Sequence, residues 1–129
     1  MTYFDYLIYT DGFLDYKTKK ITLYKYSSGT RLRTVPLSKN VKDFNFLIIT
    51  ILSGGASQDI VLSISSQTNK RFSIFGTASW GQTTKDNLLT YICEGDITIN
   101  SDFESISINN YGYNDANFTP TINQVLGFR

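Results

Sequence analysis

Along most of the chain, apolar and polar residues alternate with period two. IVLSIS (60–65), RFSIF (71–75), GDITIN (95–100) and ESISIN (104–109) place Ile, Leu or Phe at every second position with polar residues between. That spacing lays one face of an extended strand on a core and turns the other to water. Turn residues punctuate these runs: DG at 11–12, SSG at 27–29, SGGAS at 53–57, QTNK at 67–70, WGQ at 80–82 and NNYG at 109–112. Breaks roughly ten residues apart suit a sandwich or barrel better than alternating strands and helices. The pattern predicts strands over 3–10, 13–17, 20–26, 33–37, 45–52, 59–66, 70–77, 88–94, 96–100, 103–109 and 121–128.

No window carries a helical stripe. The nearest, TTKDNLLTYI (83–92), is rich in β-branched residues and leaves room for one turn near Thr84–Leu88. So many strands do not stay in one open twisted sheet, and the prediction is an all-β fold: an antiparallel two-sheet sandwich, jelly-roll-like, in one domain over 1–129. Pro36 and Pro120 lie near predicted strand starts, where a missing N–H costs little, and argue for edge strands. One stretch departs from the alternation. FLIITI (46–51) is apolar at both parities except for Thr50, as in a strand covered on both sides by the core and by a loop or a neighbouring subunit.

Composition narrows the function. Twelve Lys+Arg against eleven Asp+Glu give a net charge of +1, which offers no bulk field for nucleic acid, anionic lipid or a polyacidic substrate. No apolar run approaches the ~18 residues of a membrane span. The start, MTYFDYLIYTDG, lacks a basic segment followed by a purely apolar one, so a signal peptide is not expected. The single cysteine, Cys93 in LLTYICEG, excludes an intrachain disulfide and reads as a small buried hydrophobe.

There is no histidine, which removes Ser-His-Asp and Cys-His activation and His-ligated zinc together. Glycoside hydrolysis needs only two carboxylates, and Glu94 with Asp96, or Asp102 with Glu104, would share a strand face two residues apart. Solvated strand faces or turns are the commoner use of such pairs. NDAN (114–117) offers oxygens for calcium, but an Asx-rich turn explains it as well, and no metal or cofactor is expected.

Binding is better served. Nine Tyr, nine Phe and one Trp make the chain 15 % aromatic, and sugar C–H faces stack on rings while their hydroxyls bond to amides and guanidinium groups. NNYGYNDANF (109–118) places Tyr111 and Tyr113 on one face, if extended, among Asn110, Asn114 and Asp115. Trp80, in the polar loop ASWGQTTKDN, is a second stacking candidate, with loop anchoring as its alternative. Arg31 and Arg33 in GTRLRT would point the same way and could hold a phosphate or carboxylate, or else guard a sheet edge. Tyr24 and Tyr26 suit a subunit or sheet contact.

SSGT…VPLSKNVKDFNFLIITI (27–51), in which a Gly-Thr turn leads through Leu-Ser to a Phe and a hydrophobic strand, resembles the C-terminal domains of tail and receptor-binding proteins from phages of Gram-positive bacteria. The closing INQVLGFR (122–129) is similar to their final strand at Val125, Leu126, Gly127, Phe128 and Arg129. The resemblance covers the second quarter and the last strand. It implies a β-sandwich on a virion, made in the host cytoplasm, commonly a homotrimer beside other virion proteins, and often a binder of host cell-surface saccharides. The long N-terminal shaft usual in such proteins is not among these 129 residues, which fits a head from a longer fibre or a small virion subunit. Three functions follow as expectations: non-enzymatic recognition of a host cell-wall saccharide, a structural baseplate, tail or head-decoration subunit, and a glycan-degrading enzyme.

Overall fold

A computed structural model describes residues 19–64, 69–79, 88–113 and 119–129, with the side chains of 76–79, 88–91 and 113 left out of the description. Eight strands are present among these residues: β1 (Lys20–Lys25), β2 (Thr34–Pro36), β3 (Phe46–Ser53), β4 (Ala56–Ser63), β5 (Asn69–Ser79), β6 (Leu88–Ile99), β7 (Ser105–Tyr113) and β8 (Thr121–Phe128). They form two four-stranded sheets, β1-β8-β3-β4 and β2-β7-β6-β5, and every pairing is antiparallel. The protein is an all-β sandwich.

The outer wraps follow a rolled ribbon, β1 with β8 and β2 with β7. A complete roll would go on to join β3 with β6 and β4 with β5. Here each of these four pairs with its neighbour in sequence, β3 with β4 and β5 with β6. The reason is local at Gly54-Gly55: Ser53 pairs with Ala56 across a two-residue turn whose first position, Gly54, has φ +60°. Such a turn matches the twist of the strands it joins.

The core lies between the sheets. Leu47, Ile49 and Ile51 of β3, Ile60 and Leu62 of β4, Phe72 and Ile74 of β5, Cys93, Ile97 and Ile99 of β6, Ile106 and Ile108 of β7, and Ile122 and Val125 of β8 are all buried. The sets of β3 to β7 each keep one parity, whereas Ile122 and Val125 of β8 are three apart because the register against β3 shifts between Thr50 and Ile51. Phe44 joins them from a single 3-10 turn, Val41–Asp43, capped by Asn40, whose Oδ1 accepts from the Lys42 amide at 2.9 Å. Periodicity gave no sign of this turn because it is shorter than one helical repeat.

Several expectations change. The predicted strands 88–94 and 96–100 are one strand, since Gly95 is absorbed at a register shift between Glu94 and Asp96. Leu88, allotted to a helical turn, opens β6, and 84–87 lie outside the described residues, as do the predicted strands 3–10 and 13–17. Pro36 does belong to an edge, closing β2. Pro120 does not: it precedes β8, which runs between β1 and β3, so the ring sits just ahead of the ladder rather than on a free side.

Candidate functional site

The short segment 31–33 crosses from one sheet to the other. The Ile122 amide of β8 donates to the Leu32 carbonyl at 2.9 Å, and the Ile108 amide of β7 donates to the Arg33 carbonyl at 2.8 Å. Because these two bonds go to different sheets, the arginines on either side of Leu32 part company instead of pointing the same way. Arg31 lies over the Tyr26 ring at 3.8 Å and its Nη1 donates to Asn123 Oδ1 at 3.0 Å. Tyr26 is fixed in turn, its hydroxyl donating to the Gly29 carbonyl at 2.8 Å. Arg33 lies over the ring of Tyr111, 4.8 Å from its centroid.

Two of the residues singled out in the sequence, 78 positions apart, are therefore in contact, and Tyr111 keeps 37 % of its surface exposed. An exposed cation–π pair contributes about 0.5–1 kcal/mol, enough to orient both groups. Neither Arg31 nor Arg33 is paired with a carboxylate among the described residues.

Asn110 stands beside Tyr111 for a backbone reason. Glu94 pairs with Gly112 and Asp96 with Asn109, so Asn110 and Tyr111 together oppose Gly95: a β-bulge with Asn110 at φ +50°. Asparagine is the side-chain-bearing residue that tolerates this region best. Gly95 is needed opposite, because a Cβ there would meet the Tyr111 Cβ at 3.0 Å and the Phe72 ring at 3.1 Å.

The bulge turns the Asn110 amide onto Asp96, donating to its Oδ2 at 3.1 Å. Asp96 also meets Arg71, whose Nη1 lies 3.3 Å from Asp96 Oδ1 and whose Nη2 lies 3.1 Å from Glu94 Oε1. The carboxylates of β6 do share a face, but one guanidinium spans both. Asp102 caps the β6–β7 turn, accepting from the Glu104 amide at 2.8 Å and from the Ser105 hydroxyl at 3.2 Å. The Asn110 hydrogen bond, helped by Arg71, holds the Asp96 carboxyl below the usual carboxylate range against partial desolvation, which pushes it upward.

A depressed native pKa stabilises the fold fully above the unfolded value of about 3.9, and the contribution is lost as pH falls through the native value. Asn110→Gly keeps the backbone but drops the hydrogen bond, so its deficit in urea midpoint should be present at pH 6 and shrink by pH 2. Asn110→Val should cost about 2 kcal/mol at neutral pH, since a β-branched residue is strained at positive φ. Equal stability of the Val and Gly variants would refute the bulge.

Burial pushes the Cys93 thiol up, the Ser53 hydrogen bond opposes this, and Glu94 adds to the rise, so the thiol stays protonated and unreactive. Tyr113 is the last residue of β7 and pairs with Cys93, while Trp80, Asn114 and Asp115 lie outside the described residues. Tyr26, Asn123 and Arg71 were not singled out as ligand groups in the sequence. Arg31 and Asn123 are 92 residues apart, and only the 31–33 crossing brings them together.

No family model matches this chain, and no curated protein matches it.

Proposed function

We propose that this protein is a phage virion module, of the tail or receptor-binding kind, that recognises a host cell-surface saccharide without covalent chemistry. The observation that carries the reading is the exposed Tyr111 ring held by Arg33 next to the Asn110 bulge. A sugar stacks on such a ring, and the guanidinium group of Arg33 supplies donors for its hydroxyl, carboxylate or phosphate oxygens.

Packing also supports kinship with phage head domains. The two stretches that carry the resemblance are hydrogen-bonded neighbours, β3 against β8, with Phe46 opposite Phe128 and their rings stacked at 4.7 Å. Phe44 of the first stretch lies on Gly127 of the second. The motif is thus one physical unit split in sequence. Shallow contacts give weak single-site affinity, and assembly as a homotrimer on a particle would raise it by avidity.

The test is binding of the purified protein to host cell walls and to a glycan panel. Tyr111→Ala should weaken retention at least tenfold, the loss of one stacking contact multiplied over several copies, while the protein stays folded and loses stability on the order of the 0.5–1 kcal/mol of the Arg33 contact. An oligomer that ignores every wall and glycan tested would leave the structural virion subunit in its place, and a Tyr111→Ala variant that binds as before would take the site away from this ring.

A further inference from the structure

The outer face of the β1-β8-β3-β4 sheet, away from the core, carries apolar side chains in two adjacent rows, flanked by a polar row of Lys25, Gln124, Thr50 and Asp59. Thr22, Leu126, Ile48 and Val61 form one row across the four strands, and Lys20, Phe128, Phe46 and Ser63 form the next. Phe46, Ile48, Leu52, Leu126 and Phe128 are half-buried and Val61 is 50 % exposed. We propose that residues 1–18 of the same chain cover this face.

Three observations select that occupant. The chain reaches the face where it enters the fold: the Lys19 carbonyl accepts from the Arg129 amide at 3.0 Å, and Lys20 pairs with Phe128 at the end of the aromatic row. Eighteen residues reach at most ~60 Å, ample for a face about 15 Å across four strands and about 20 Å along β3. The sequence of the segment is suitable, since TYFDYLIY (2–9) is apolar at both parities apart from Thr2 and Asp5.

Charge agrees as well. The segment has Asp5, Asp11 and Asp15 against Lys17, while the β1 border of the face carries exposed Lys19, Lys20 and Lys25. The acid in the rows of the face is Asp59, whose Oδ1 already accepts from Thr50 at 2.6 Å. A second copy is the poorer occupant. About 300 Å² per partner, roughly 600 Å² in all, falls short of the ~1,000 Å² expected of a stable interface.

Thiol labelling of the full chain with a small maleimide decides the matter. Cys93 is buried and stays silent, which also reports that each variant is folded. Val61→Cys should react at least ten times more slowly than Lys39→Cys, an exposed loop control. In the added background Phe4→Ser, Leu7→Ser and Ile8→Ser, or Leu7→Ser alone if the triple variant exposes Cys93, the two rates should converge to within threefold. Val61→Cys reacting as fast as the control from the outset would overturn the proposal. So would protection that grows with protein concentration, which would assign the face to a second copy, or protection that the serine substitutions leave intact.

Discussion

Gly127→Ala is expected to lower the unfolding free energy by about 2 kcal/mol, a large loss for the addition of one methyl group in a strand. The cause is the ring of Phe44. A Cβ at position 127 would lie 2.7 Å from Phe44 Cδ1 and 2.9 Å from Cε1 and Cγ. Rotating the ring about its own axis does not relieve the contact, because Cγ lies on that axis. Moving the whole side chain is resisted by the capped 3-10 turn, where the Phe44 amide donates to the Val41 carbonyl at 3.0 Å, and by burial to 4 % exposure. The strand gives no more easily, since β8 is hydrogen-bonded on both sides. Phe44→Leu shortens the side chain and should be destabilising alone. Combined with Gly127→Ala, however, its cost should be at least 1 kcal/mol less than the sum of the two singles. Urea unfolding of the four proteins with a common m-value would measure this, and strict additivity would refute the packing argument.

Gly127 also marks where the sequence stopped being readable. A glycine near the end of INQVLGFR reads as a strand with a gap, and nothing within the strand says which ring fills it; the answer lies 83 residues upstream. The alternation was readable because the two-sheet core enforces it strand by strand, so Ile106, Ile108, Ile97 and Ile99 were assignable from spacing alone. Pairing partners were not. The period-two pattern of β4 is the same whether it lies beside β3 or β5, and the two-residue glycine turn makes the choice.

In the candidate site, Tyr111 and Asn110 stood out as an aromatic among amides, and Arg31 and Arg33 as a basic pair. Their assignment to separate sheets depends on two backbone hydrogen bonds from β7 and β8 to the segment between them, which side-chain types do not encode. Asn110's positive φ is equally a property of the pairing, arising only because two residues of β7 oppose Gly95.

FLIITI posed the sharpest ambiguity, and a substitution series along β3 resolves it in energetic terms. Register places Leu47, Ile49 and Ile51 inside, all fully buried, and Phe46, Ile48 and Thr50 outside. Ile49 pairs with Ile60 and Val125, both buried, so truncation opens a void that close-packed neighbours in both sheets fill only in part. Ile49→Val should cost about 1 kcal/mol and Ile49→Ala about 4 kcal/mol. Ile48 faces the other way, in the row with Leu126 and Val61, and has less surface to lose. Ile48→Ala should cost on the order of 1–2 kcal/mol, set by partial burial without a sealed cavity. Chemical denaturation of the three variants reads the difference directly. Equal costs at the two positions would mean that β3 is as tightly enclosed on its outer side as on its inner, and a larger cost at Ile48 would reverse the assignment of the core face.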